Sequence, residues 1–205
     1  MQVLKEEVKQ SILDSGKAEF LKNGFEKTSM RQIAKSAGTT IGNLYNYFTS
    51  KEEIFYIITT PAFDEFISLL NNHEDESFKD FTFDEGINID FLKTIIKFCL
   101  NKYDSMFDSS FLILVDGSKG TKYENIKSKF IDLLSEHLSV HLKNTNISDE
   151  KKENIFGFCH AVASGFIEGM MDILRTSYSR EEKKNLLTEY FLFYIIGVFN
   201  ITANR

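Results

Sequence analysis

An all-α fold follows from three features of the chain. A single Pro and 11 Gly in 205 residues leave too few turn formers for a sandwich or a barrel. Leu, Ile, Phe, Lys and Glu dominate, with Phe alone contributing 20 residues. Apolar residues recur at a spacing of three to four through most of the sequence, the period of helices with one buried face. The length is enough to bury a full core, as one large domain or as a small one joined to a larger one. The predicted architecture is a three-helix N-terminal unit over residues 1–50 and a helical body over residues 51–205, about nine helices in all.

The first helix is expected over about Leu4 to Asn23, with Val8, Ile12, Leu13, Phe20 and Leu21 on one side and Gly24 as its stop. Thr28 and Ser29 cap a second helix that carries Ile33, Ala34 and Ala37 on its apolar side. Gly38 permits a sharp reversal, and Thr39 and Thr40 cap a third helix running to about Phe48. That helix buries Phe48 together with either Ile41 or Leu44, and it leaves Asn43, Tyr45 and Tyr47 outward.

A fourth helix opens at Ser50 and Lys51, with Glu52 and Glu53 where the helix dipole favours acidic groups. It continues through Ile54, Ile57, Phe63, Phe66, Leu69 and Leu70. Pro61, inside this pattern, predicts a kink or break, read either as a bend over the core or as a hinge. Residues 71–87 are acidic and irregular but contain Phe78, Phe81 and Phe83, which suggests a loop that packs down. Further helices are expected at about Asp90–Lys102, Ser105–Val115, Tyr123–Lys143, Ser148–Ser177 and Arg180–Thr202. A turn-rich link spans Asp116 to Lys122.

The second and third helices, joined by a glycine turn, form a helix-turn-helix, whose second helix enters the major groove of DNA. The chemistry suits that task. Hydroxyls and an ammonium suit phosphate oxygens; Asn43 can pair with an adenine edge, and Arg31 with guanine N7 and O6. Gly42 allows close approach to the groove, and Ile41 can touch a thymine methyl if it is not core. The net charge of −6 divides into +1 for residues 1–56 and −7 for the remainder. Lys27, Arg31, Lys35 and Lys51 all fall within the proposed DNA-binding unit. The acidic body would confine contact with DNA to that end.

Thr28-Ser29, Ile33-Ala34, Ala37-Gly38 and the run Gly42-x-Leu44-Tyr45-x-Tyr47-Phe48-x-Ser50-Lys51-Glu52-Glu53 resemble the DNA-binding region of the tetracycline-repressor (TetR) family of bacterial transcriptional regulators. Ile12, Ala18, Phe20, Leu21, Gly24 and Phe25 extend the likeness upstream, so that it covers about the first 55 residues. The resemblance implies phosphate contacts from Thr28, Ser29, Tyr45, Tyr47 and Lys51. Arg31, Ile41, Gly42 and Asn43 would lie near base edges, and Thr40 caps the same helix. It also implies a double-stranded DNA operator with palindromic half-sites, a homodimer and a small-molecule effector held by the body.

Candidates for an apolar or aromatic effector site are Phe66, Phe98, Met106, Phe107, Phe111, Phe130, Leu134, Phe158 and Phe166. Phe at helical spacing is also what a plain core requires, and both readings stand. Gly157, Ala161, Gly165 and Gly169 recur every fourth residue. Each glycine costs about 1 kcal/mol against alanine in a helix interior, so a close helix approach must compensate. That approach is either internal packing or a dimer interface completed by Tyr190, Tyr194 and Gly197 of the last helix.

Cys99 and Cys159 lie in apolar helical patterns and read as reduced, buried thiols. His137 and His141 are one turn apart, a weak metal signal that more often marks a solvated face, and no metal or cofactor is assigned. No pairing of nucleophile and base and no phosphate-cradling glycine loop suggests an enzyme. No signal sequence is apparent, and the run Tyr190 to Phe199 is too short to span a bilayer. The expectation is a cytoplasmic protein with no membrane partner.

Overall fold

The computed structural model of the protein describes residues 2–72, 88–143 and 155–203. Nine α-helices and no strand are present among the described residues: α1 Gln2–Lys27, α2 Met30–Ser36, α3 Ile41–Tyr45, α4 Lys51–Asn72, α5 Ile89–Lys102, α6 Ser109–Asp116, α7 Ile126–Lys143, α8 Ile155–Arg175 and α9 Arg180–Ala203. The proposed loop with Phe78, Phe81 and Phe83, and the start expected for α8 at Ser148, lie outside the described residues.

The helices group into two compact units. The first holds residues 1–65 and 105–126, and the second holds residues 66–104 and 127–205. Helix α4 therefore contributes to both. The helix-turn-helix is packed with a segment from the middle of the chain, so the first unit extends well beyond residue 50.

In the first unit Ile12, Phe20, Ile33, Leu44, Phe48, Ile54 and Phe55 are almost wholly removed from solvent. Phe20, Phe25 and Phe55 meet pairwise at centroid separations of 5.2–6.0 Å. Leu21, expected on the buried side of α1, is 50% exposed. Helix α1 is interrupted at Gly24, with φ 72° and ψ 169°, a conformation essentially confined to glycine. The Phe25 amide beyond that kink donates to the Gly117 carbonyl at 2.8 Å. Gly117 closes α6 there, and any Cβ on it would lie 2.9 Å from the Ile113 carbonyl oxygen.

Pro61 does not break α4, which continues past it to Asn72. The expected break is thus absent, since proline removes one helical hydrogen bond and the surrounding turns persist. The helix predicted from Ser105 begins later, at Ser109. Asp108 caps it by accepting from the Ser110 amide at 2.6 Å, and a 3₁₀ turn occupies Asp104–Phe107.

The second unit is built on the α5–α9 and α8–α9 contacts. Helix α5 buries Leu92, Ile96 and Leu100, while α8 buries Ile155, Cys159, Ala163, Ile167, Met170 and Leu174. Phe66 and Phe130 stack with centroids 3.9 Å apart, and both are buried. Arg180 pairs with Asp104, Lys127 with Glu168, and Lys93 with Glu189 at 2.6 Å. These exposed pairs each contribute little.

Candidate nucleic-acid interface

Helix α2 begins at a complete capping box. The Ser29 hydroxyl oxygen accepts from the Gln32 amide at 3.3 Å, and the Gln32 side chain accepts from the Ser29 amide at 2.8 Å. This reciprocal pair satisfies two backbone donors that the start of a helix otherwise leaves open. Gly38 makes the turn with φ 65°. Thr40 then caps α3, its hydroxyl oxygen accepting from the Asn43 amide at 3.1 Å. Helix α3 ends at Tyr45, three residues short of expectation. Tighter turns follow, with the Asn46 amide donating to the Asn43 carbonyl and the Tyr47 amide to the Leu44 carbonyl.

Leu44 and Phe48 anchor α3 at 0% and 1% exposure. Of the two residues offered for the core, Leu44 is the one buried; Ile41 is 37% exposed. Tyr45 is 53% exposed, and Arg31, Thr40 and Gly42 are also exposed. A Cβ added at Gly42 would meet nothing within 4 Å. The chain's own packing therefore does not require glycine there. Asn43 is half-buried, and its amide donates to the Thr39 hydroxyl at 2.8 Å, which holds the side chain in one orientation. Tyr47 is half-buried.

Two residues placed at phosphates by resemblance turn inward. Thr28 is 2% exposed, and its hydroxyl donates to the carbonyls of Gly24 at 2.8 Å and Glu19 at 3.2 Å. It closes the end of α1, and the buried side chain is not available to a surface ligand. The Lys51 ammonium donates to the Phe25 carbonyl at 2.7 Å and the Thr28 carbonyl at 2.8 Å. It also lies 4.0 Å from the centroid of the Phe25 ring. Desolvation lowers its pKa from the ordinary lysine value, opposed by Glu52 and Glu26. Sequence spacing did not show the Thr39–Asn43 bond, nor Phe25 as the partner of Lys51. The capping box was readable as Ser29-x-x-Gln32.

The effector candidates divide between the units. Met106, Phe107 and Phe111 are buried in the first; Phe66, Phe98, Phe130, Leu134, Phe158 and Phe166 belong to the second. Phe98 is 65% exposed and Phe158 is 44% exposed, so neither lines an interior of its unit. The reason for Phe98 is helical phase, since the buried stripe of α5 runs Leu92, Ile96, Leu100 and Phe98 falls two residues off it. Phe166 packs against Tyr190, Phe191 and Tyr194 at 5.0–5.8 Å. A separate open groove of about 610 Å³ between α5 and α9 is lined by Lys93, Lys97, Tyr178, Leu186 and Glu189 among others, none of them a predicted effector residue.

The small-residue stripe serves internal packing at two positions. A Cβ at Gly169 would overlap the Tyr190 ring and hydroxyl, and one at Gly165 would lie 3.0 Å from the Tyr194 hydroxyl. The Tyr190 hydroxyl donates to the Gly165 carbonyl at 2.8 Å, and burial raises its pKa. Gly157 and Gly197 have open space instead, Ala161 is exposed, and Phe193 is 72% exposed. The side chain of His141 lies outside the described residues, and no group of three metal-binding side chains occurs among those described. Burial raises the Cys99 thiol pKa, which opposes thiolate formation. No helix among the described residues is long and apolar enough to cross a membrane.

A capped α2, a left-handed glycine turn and a short exposed α3 on a buried base make a helix-turn-helix, the motif whose second helix lies in the major groove in proteins that bind DNA. Residues 12–56 match the family of bacterial regulatory proteins, tetR family. The chain is 39% identical over 54 residues to the uncharacterized HTH-type transcriptional regulator YfiR of Bacillus subtilis (strain 168), covering 26% of each chain. It is 33% identical over 69 residues to IcaR of Staphylococcus epidermidis, named as the HTH-type negative transcriptional regulator of the biofilm operon icaADBC. That match covers 33% of this chain and 37% of the relative. The chain thus spans about a quarter and about a third of the lengths of these two relatives. Among solved structures, NalD, the secondary repressor of the MexAB-OprM multidrug efflux pump in Pseudomonas aeruginosa, aligns over 91% of this chain and 96% of its own. The TM-score is 0.45 and the identity 19%.

Proposed function

We propose that this protein is a cytoplasmic, homodimeric transcriptional regulator, a repressor that leaves a palindromic operator when a small apolar or aromatic ligand binds the helical body. The observation that carries the reading is α3. Its inner residues Leu44 and Phe48 are fully buried, while Ile41, Gly42 and Tyr45 stand exposed with no internal task for the glycine. Arg31, Ile41, Gly42 and Asn43 meet base edges; Thr40, Tyr45, Tyr47 and Ser29 meet phosphates, joined by the exposed cation Lys35. Functionally, residues 1–50 read DNA and residues 51–205 hold the effector and the partner subunit.

The exposed Gly157, Ala161, Phe193 and Gly197 support a dimer through α8 and α9, and two copies are what paired half-sites require. The stacked Phe66 and Phe130 supply the apolar interior for an effector. The test is a gel shift on duplexes that the protein enriches from a randomised pool. Enrichment of a palindromic site, with affinity falling steeply as salt rises, is expected. Failure to enrich any sequence would refute the reading. Release of that DNA by hits from a thermal-shift screen of small apolar compounds tests the effector. An operator complex that no stabilising compound dissociates would favour a regulator that works without one.

A further inference from the structure

We propose that Lys51 acts on DNA binding as a positioning residue, by tying the start of α4 to the carbonyl end of α1 and so holding the helix-turn-helix between them in its reading geometry. The proposal rests on the DNA-binding reading, but its central observation concerns the free protein.

The end of α1 is a concentration of carbonyl oxygens. A helix C-terminus carries partial negative charge and several carbonyls without helical partners. Here the Gly24 kink turns the last residues away from the helix axis, and two side chains satisfy what is left. Thr28 closes the carbonyls of Glu19 and Gly24. Lys51 closes those of Phe25 and Thr28 at 2.7 and 2.8 Å. Two of the three N–H bonds of the ammonium are thus held by backbone more than 20 residues upstream. The Phe25 ring adds a cation–π contact at 4.0 Å.

The sequence position of Lys51 makes this bond consequential. Lys51 is the first residue of α4, directly after the turns that end the recognition helix. Phe25 and Thr28 stand directly before α2. The ammonium therefore joins the entrance of the helix-turn-helix to its exit. Moving it to a phosphate would leave the Thr28 carbonyl without this donor, a cost that a new surface contact would have to exceed.

Two measurements decide the matter. In protein labelled with ¹⁵N-lysine, the Lys51 ammonium should give a slowly exchanging cross-peak, assigned by its loss in Lys51→Met. That peak should persist unshifted when the duplex enriched by the wild-type protein is added to saturation. Absence of the peak from free protein, or a large shift on adding DNA, would overturn the proposal. The second measurement uses Lys51→Met at a temperature where circular dichroism shows it folded. Affinity should fall by about tenfold, with the slope of log affinity against log salt unchanged. A slope reduced by about one unit would mark a lost phosphate contact instead, and unchanged affinity would leave Lys51 a stabilising role alone. If wild-type protein enriches no duplex, the DNA-binding reading fails, while the peak in free protein still tells whether the clamp exists. Should Lys51→Met not fold, the peak is assigned by its loss in Lys51→Arg instead, and the labelled wild-type experiment still decides.

Discussion

Gly42 is the residue at which fold and function pull apart most clearly. It lies in the exposed first turn of α3, where an added methyl group would touch nothing. Gly42→Ala should raise stability by a few tenths to about 1 kcal/mol, read by urea denaturation. The same methyl group would stand between the helix and the groove floor, so DNA affinity should fall by about tenfold in a gel shift. An unchanged affinity would remove Gly42 from the interface. Helical spacing was enough to place Asn43 and Tyr45 outward from a buried Phe48, with Ile41 and Leu44 left as alternatives for the core. It was not enough for Thr28 and Lys51. Their partners are carbonyls of Glu19, Gly24 and Phe25, and a backbone acceptor leaves no mark in side-chain pattern.

At the level of elements, the helices were legible because a buried face imposes a period of three to four, as in Leu92, Ile96 and Leu100. Ends were less so. Helix α3 stops early at Tyr45, and α4 passes through Pro61 where local rules predict a break. The glycine stripe of α8 shows how one pattern can answer two needs. Gly169 makes room for Tyr190 of the same chain, whereas Gly157 has nothing near it. Gly169→Ala should therefore cost about 1–3 kcal/mol through overpacking, measured by thermal denaturation. In a Tyr190→Ala background the same change should cost far less, since the obstructing ring is gone. Equal costs in both backgrounds would show that the glycine answers to something other than Tyr190.

For the whole molecule, the proposed dimer turns on an apolar surface that the single chain leaves open. Phe193 is 72% exposed on α9, and an isolated chain gains nothing from holding a large ring in water. Phe193→Glu should shift sedimentation velocity from dimer to monomer. Operator affinity should fall with it, by about a hundredfold or more, because the second half-site is no longer tethered to the first. A variant that remains dimeric would move the interface elsewhere. Such a surface was visible in the sequence only as helical apolar residues, since pattern does not separate a face covered by the same chain from one left bare.

The bond between the Phe25 amide and the Gly117 carbonyl has a consequence during synthesis. It joins points more than 90 residues apart, and the compact unit holding the helix-turn-helix includes residues 105–126. A nascent chain that has exposed only its first 65 residues lacks the acceptor for the Phe25 amide and the packing that α6 supplies to α1. Non-local closure of this kind delays completion of a fold. The unit that holds the helix-turn-helix is thus completed only after residue 126 has left the ribosome, so its first 65 residues cannot reach their final packing while they stand alone.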